Sequence, residues 1–236
     1  MEKIRLITVS AILTSTAFLN ACSSDRNAVT ERDPIASASY RVTFSTQWTS
    51  TGFPTNFPGG AHFSALTGAT HNDQVIFWEK GQAASAGIES MAETGAQGTL
   101  INEVQAAQSD GKAQFILGGS GAGATGTVSF EFDINPEYPL VTLVSMVAPS
   151  PDWFVGVQNF TLYDSIADDW KQTVTANLAV YDAGTDSAAT FIAGDSDTKP
   201  TAGITLLSST ATDTDFVDGV GPAGEYIASF RFERIK

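Results

Sequence analysis

Apolar and polar positions alternate along much of the chain, in short runs bounded by Gly, Pro, Asp and Ser. Residues 40–48 place Tyr40, Val42 and Phe44 on one side, a period of two that is typical of a half-buried strand. Residues 140–147 are almost continuously apolar, as expected for a central strand. The predicted strands are residues 40–48, 74–78, 112–117, 127–134, 140–147, 152–161, 177–181, 204–207 and 226–234.

Residues 82–107 break this alternation. They are rich in Ala, Glu and Gln, and apolar residues such as Ile88, Met91 and Val104 recur at helical spacing. Gly95 and Gly98 divide the segment, so it predicts two short helices. The pattern as a whole predicts an all-β fold, an antiparallel β-sandwich of about eight to nine strands with a short helical insertion.

The N-terminal segment follows a different pattern. A short charged start precedes an apolar run over residues 6–19, which is too short for a membrane span and suits a signal peptide. The sequence Leu-Asn-Ala-Cys ending at Cys22 resembles the bacterial lipobox, which implies cleavage before Cys22 and its acylation. A lone cysteine cannot form an internal disulfide, although a free or buried cysteine is the alternative.

This interpretation divides the chain into three parts: a signal peptide over residues 1–21, an acylated cysteine with a flexible tether over residues 22–38, and one domain over residues 39–236. The tether is polar and lacks an apolar period. The resemblance to bacterial lipoproteins also implies that, in a Gram-negative cell, the Ser that follows Cys22 favours sorting to the outer membrane.

The net charge of −14 at pH 7 disfavours nucleic acid as a partner, because the protein repels phosphate backbones. The same acidity fits solubility and also supplies ligands for divalent cations.

Two acidic loops are the candidate cation site. Asp152 lies in a Pro-containing turn directly before a predicted strand, and Asp182 and Asp186 are separated by Ala-Gly-Thr. Carboxylates on flexible loops suit calcium, which takes six to eight oxygen ligands. Asp is also a common turn former, so spacing alone leaves both interpretations open.

Other motifs indicate no catalytic centre. His62 and His71 lack the further ligands of a closed zinc site. Residues 121–126 match G-x-G-x-x-G in letters, but a predicted strand follows where a dinucleotide site needs a helix. Residues 213–219 match an EF-hand loop only in part, which leaves a weak second cation contact open.

Several longer stretches carry a family resemblance. They are Tyr40–Phe44 (YRVTF), Phe57–Asn72 (FPGGAHFSALTGATHN), Ala84–Glu93 (ASAGIESMAE), Pro139–Val157 (PLVTLVSMVAPSPDWFVGV), Tyr181–Ser187 (YDAGTDS) and Phe230–Ile235 (FRFERI). In these stretches, and in order over residues 39–236, the chain resembles the spondin domain, the N-terminal module of F-spondin and mindin.

The resemblance implies a C2-like antiparallel sandwich with one calcium ion, and adhesion or recognition rather than catalysis. The calcium-binding aspartates of the family correspond to Asp152, Asp182 and Asp186, and Ala188 stands where the family often has Gly. The expectation is a non-enzymatic, lipid-anchored, calcium-binding module of the bacterial envelope whose partner is an unknown protein or glycan at the cell surface. The alternatives are a calcium-dependent hydrolase of envelope polymers and a structural subunit of an envelope complex.

Overall fold

The structure is a computed structural model that describes residues 36–236. The predicted signal peptide, Cys22 and nearly all of the predicted tether lie outside the described residues. Within residues 36–236, no helix is both long and apolar enough to cross a membrane.

The regular secondary structure of the described chain is mostly strand, with two helices. The strands are β1 (Ala38–Gln47), β2 (His62–Phe63), β3 (Leu66–His71), β4 (Ala113–Gly119), β5 (Ala122–Gly123), β6 (Thr125–Ile134), β7 (Leu140–Ala148), β8 (Trp153–Thr161), β9 (Tyr163–Asp164), β10 (Asp169–Trp170), β11 (Thr173–Leu178), β12 (Val180–Asp182), β13 (Thr205–Leu206) and β14 (Ala228–Arg234). The helices are α1 (Ala86–Thr94) and α2 (Gly98–Ser109), both between β3 and β4.

One layer is a four-stranded antiparallel sheet in the order β11-β14-β1-β6. Tyr40, Val42 and Phe44 of β1 are fully buried, whereas Arg41 faces solvent, so the period-two pattern of the sequence is the inside-outside pattern of the sheet. Phe44 pairs with Phe230 of β14, and their ring centroids lie 5.1 Å apart. This sheet therefore contributes one aromatic face to the core.

The other layer is built on β7 and β8. Its order is β13-β12-β8-β7-β2-β5, and β3 also pairs with β7 and carries β4 on its far side. Eight of the fourteen described strands are longer than three residues, namely β1, β3, β4, β6, β7, β8, β11 and β14. The sheets are antiparallel and not closed into a barrel, which confirms the predicted all-β sandwich.

The helices cover the outer face of the second sheet. Ile88, Met91 and Val104 are fully buried there, in a second apolar cluster that also contains Trp78 and Phe154. Helix α1 ends at Gly95 in a left-handed conformation (φ 70°), which a residue without Cβ adopts at little cost. The predicted division into two short helices is confirmed.

The structure corrects three details of the strand prediction. Residues 74–78 form no strand, because Phe77 and Trp78 pack into the second cluster from an irregular segment. The predicted strand 177–181 is interrupted at Ala179, where the chain passes from β11 in one sheet to β12 in the other. Strand β3 was not predicted, since its sequence LTGATH lacks the apolar alternation of the others.

The chain enters the domain at one end of the sandwich, and the predicted calcium loops lie at the other. At the start of β1, the Tyr40 hydroxyl donates to the carbonyl of Leu162, just beyond the end of β8, and to that of Lys171, just beyond the end of β10. Asp152 precedes the first residue of β8, a strand of nine residues. At about 3.3 Å per residue, roughly 30 Å separate the two ends.

His71, the last residue of β3, predicts that the stability of the fold depends on pH. His71 is fully buried, its Nδ1 lies 2.8 Å from the Asn72 carbonyl and its Nε2 lies 2.8 Å from the Thr142 hydroxyl. Burial lowers the pKa of His71, so the folded state keeps the ring neutral below pH 6.5 while the unfolded chain takes up a proton.

We therefore expect the free energy of unfolding to decrease as pH falls below about 6.5, by at most about 1.4 kcal/mol per pH unit from this group. Urea titrations of the wild type and His71→Gln between pH 7.5 and 5 measure it, and the difference between the two profiles isolates His71 from the carboxylates. His62→Gln, at an exposed histidine, controls for losing a histidine. Parallel profiles for wild type and His71→Gln contradict the prediction.

Candidate metal centre

Asp152 lies at the centre of the loops that connect β7 to β8 and follow β12. Its side chain is fully buried. Its Oδ2 accepts hydrogen bonds from the backbone N–H of Thr185 at 2.8 Å and of Asp186 at 3.1 Å. Its backbone carbonyl also accepts from the Ala183 N–H at 3.1 Å. The sequence therefore brings its two acidic loops into direct contact.

Asp182 and Asp186 shape the second loop. Asp182 is the last residue of β12, pairs with Trp153 across the sheet, and accepts the Gly184 N–H on Oδ1 at 2.8 Å. Asp186 accepts the Ala188 N–H on Oδ1 at 2.7 Å and the Ser196 N–H on Oδ2 at 2.9 Å. Backbone donors at these oxygens are the usual way in which Asp stabilises a turn. Both aspartates thus already have structural partners.

The carboxylates are close enough to affect one another. Burial, reinforced by the Asp182 carboxylate, raises the pKa of Asp152 to about 7, although the Thr185 and Asp186 N–H groups act in the opposite direction. Burial also raises the pKa of Asp182; the Gly184 N–H lowers it and the Asp186 carboxylate raises it. Neighbouring anions without a cation between them destabilise each other's charged form.

One oxygen of this group has no partner. Asp152 Oδ1 is buried and makes no hydrogen bond with any described residue. A buried carboxylate oxygen in that state costs free energy unless a cation or donor satisfies it. The oxygen chemistry of this group therefore fits a calcium ion.

Side chains alone do not complete a calcium site at this position. Over residues 36–236, no three His, Cys, Asp or Glu side chains are arranged so that they could hold a metal ion by themselves. Calcium accepts backbone carbonyl and water oxygens beside carboxylates, so a site with few carboxylate ligands is chemically possible. Calcium binding by Asp152, Asp182 and Asp186 remains a prediction.

Glu93, near the end of α1, is an additional acidic side chain close to Asp186, and the spacing of acidic residues along the chain does not indicate it. Its Oε1 is buried and makes no hydrogen bond with a described residue. Burial raises the pKa of Glu93, the Thr185 hydroxyl lowers it, and Glu89, Asp186 and Asp195 raise it. The spacing of residues along the chain does not indicate that Glu93 lies near Asp186. Helix α1, which carries Glu93, precedes β4, whereas the loop that carries Asp186 follows β12.

The other motifs singled out in the sequence have structural rather than ligand-binding surroundings. His62 is exposed on β2 and His71 is buried in β3, so the two histidines do not form a shared site. Residues 121–126 run through β5 into β6, which is a strand connection as predicted. In the partial EF-hand match, both Asp215 oxygens are engaged by Thr55, through its N–H and its hydroxyl at 2.6 Å each.

Comparison with known proteins decides the family. The family model of the spondin N-terminal domain matches residues 38–217. The chain belongs to the spondin N-terminal domain family. Spondin-2 of Homo sapiens is 35% identical over 181 residues, which cover 75% of this chain and 54% of that protein. Spondin-1 of Gallus gallus is 32% identical over 207 residues, covering 84% of this chain and 25% of that protein.

The chain therefore spans about half the length of Spondin-2 and about a quarter of Spondin-1. Family membership confirms the resemblance found in the sequence. The family model ends at residue 217, so β14, which completes the four-stranded sheet, lies outside the matched range.

Proposed function

We propose that this spondin domain is a non-enzymatic adhesion or recognition module, anchored by lipid at Cys22 to the bacterial outer membrane and stabilised by calcium. Its partner is a protein or glycan at the cell surface. The match of the family model to nearly the whole domain supports the recognition class. The unpartnered Oδ1 of Asp152 is the observation that supports the calcium ion.

In this proposal Asp152, Asp182 and Asp186 hold the ion, and the ion orders the loop end rather than activating a substrate. Asp152 contributes its unpartnered Oδ1, while its Oδ2 stays bonded to the Thr185 and Asp186 N–H groups. A divalent ion neutralises carboxylates that otherwise raise each other's pKa. The contacts of these carboxylates to backbone donors support a structural role for the ion.

Anchoring at Cys22 is supported by the sequence of residues 1–22 and by the polar tether that follows. The domain receives this tether at the start of β1, the end of the sandwich opposite Asp152.

The anchor has a direct test. Cys22→Ser is expected to abolish incorporation of radiolabelled palmitate in a bacterial host, because serine offers no thiol for acylation. The wild-type chain is expected to partition into the detergent phase of Triton X-114, and the variant is expected to lose this partitioning. Ser23→Ala is the control with the thiol intact. Equal palmitate labelling of Cys22→Ser and wild type contradicts the anchor.

The recognition role is tested by affinity purification of the full chain from detergent-solubilised envelopes, followed by reconstitution with each purified candidate. Saturable binding to a surface protein or glycan is expected. A chain that binds no surface component, yet copurifies stoichiometrically with one envelope assembly and is needed for its stability, is a structural subunit instead. That outcome replaces the proposed function.

A further inference from the structure

A projecting loop lies beside the candidate metal centre, and we propose that it is the partner-binding element of the domain. The loop comprises residues 188–195, called the recognition loop below. The inference rests on the proposed recognition function and specifies its contact residue and its partner: a protein surface with an apolar pocket bordered by Lys and Arg. Ile192 enters that pocket.

The base of the recognition loop is closed by one carboxylate. Asp186 accepts the Ala188 N–H where the loop begins and the Ser196 N–H where it ends. The backbone continues the closure below, since the Ser187 N–H donates to the Ser196 carbonyl at 2.9 Å and the Thr198 N–H to the Thr185 carbonyl at 2.7 Å. The two stems are therefore held together before any partner arrives.

The middle of the loop is held from inside by an aromatic side chain. Phe191 is 4% exposed, and its ring centroid lies 5.3 Å from Trp48 and 5.0 Å from Trp153 in the main core. Such a contact fixes the backbone on either side of it. The Ala189 carbonyl is also bound, by the Asp213 N–H at 2.8 Å.

Ile192, the next residue, points the other way and is 73% exposed. An aliphatic side chain on a loop held both at its base and at its middle loses little conformational entropy on binding, which is the property of an interface anchor. Two clefts flank it. One, of about 380 Å³, is lined by Phe57, Phe191 and Ile192 among others, and one of about 230 Å³ lies on the side of Glu93 and Asp195.

The charged residues around Ile192 indicate the charge of the partner's surface. The residues that line the two clefts include no Lys or Arg, and the acids among them that are not assigned to the calcium ion are Glu93, Asp195 and Asp213. Lys199, close by, is already paired with Asp197 at 2.5 Å. A basic rim around an apolar pocket is complementary to this surface, whereas a second copy of this acidic chain is not.

The chain contains a matched control for this anchor. Ile166 is also an exposed isoleucine, at 97%, but it lies in the turn between β9 and β10, at the end where the chain enters the domain. A contact made by exposed isoleucines in general would involve both positions. A contact made by the recognition loop involves Ile192 alone.

The test places the photoreactive residue p-benzoylphenylalanine at position 192 or at position 166 of the full chain in cells. Ultraviolet light is expected to yield a discrete protein adduct from 192 and none from 166. Mass spectrometry of the 192 adduct is expected to locate the crosslink at an apolar residue with Lys or Arg around it. The partner is then purified, and its affinity is measured for Ile192→Asp and Ile166→Asp.

We expect at least about a tenfold weaker affinity for Ile192→Asp, no change for Ile166→Asp, and weaker wild-type binding as NaCl rises. An adduct from 166 but not from 192 overturns the loop assignment and leaves the recognition function in place. An adduct at 192 with a glycan, a lipid or a second copy of this chain also overturns it. No adduct from either position, together with no binding to purified surface components, removes the recognition function itself.

Discussion

Calcium is expected to raise the melting temperature of the full chain by about 5–10 °C when its free concentration is a hundredfold above the dissociation constant. Binding to the folded state alone contributes about 2.7 kcal/mol under that condition. In a domain of this size each kcal/mol shifts the melting temperature by roughly 2–4 °C. Thermal unfolding in calcium, in EDTA, and in EDTA followed by excess calcium measures the effect and its reversal.

The matched variants for this experiment are Asp182→Asn and Asp164→Asn. Each aspartate accepts the N–H two residues ahead on Oδ1, and asparagine keeps that acceptor while removing the charge. Asp182→Asn is expected to lose most of the calcium shift, whereas Asp164→Asn, next to the β9–β10 turn, is expected to keep it. Asp152 is less suitable, because its Oδ2 also holds the Thr185 and Asp186 N–H groups. A melting temperature that does not respond to calcium refutes the site.

Replacing Gly68 with Ala is expected to destabilise the fold by about 3 kcal/mol or more. A Cβ at Gly68 would lie 1.9 Å from the Thr142 carbonyl oxygen and 2.7 Å from its carbon. Both atoms belong to the backbone of β7, which pairs directly with β3 at this point. The clash can be relieved only by separating two strands at the centre of the larger sheet.

Gly118→Ala is the control on the neighbouring strand β4, where the nearest heavy atom to an added Cβ is 3.8 Å away. Urea unfolding of both variants gives the comparison. A large decrease in midpoint for Gly68→Ala with little change for Gly118→Ala is the expected result. Equal midpoints for both variants show that the sheet can accommodate the added methyl group.

Strands with a strong local pattern were predictable, and strands without one were not. The alternation of Tyr40, Val42 and Phe44 locates β1 because every second side chain of a strand faces the same side. Strand β3 is central and fully buried, yet its sequence LTGATH contains small and polar residues. Gly68 is there because β7 approaches too closely for a side chain, which is a property of the neighbour and not of the local sequence.

The candidate metal centre also has some features that the sequence predicts and others that it does not. The sequence predicted that Asp152, Asp182 and Asp186 lie on neighbouring loops, and the Asp152 contacts to Thr185 and Asp186 agree with this. The approach of Glu93 was not predictable, since it depends on how α1 packs over the second sheet. The same holds for the free Oδ1 of Asp152, because hydrogen-bond satisfaction of a single atom depends on residues far away in the chain.

By itself, the sequence determined the all-β class, the two short helices, the family and the residues of the candidate calcium loops. These follow from period, turn residues and motif order, all of which are local or linear properties of the chain. Only the tertiary structure decided that the chain changes sheets at Ala179, that Phe191 is buried while Ile192 is exposed, and that the loop end is opposite the start of β1. Each of these depends on pairing and packing between distant segments, for which the period of a single strand carries no information.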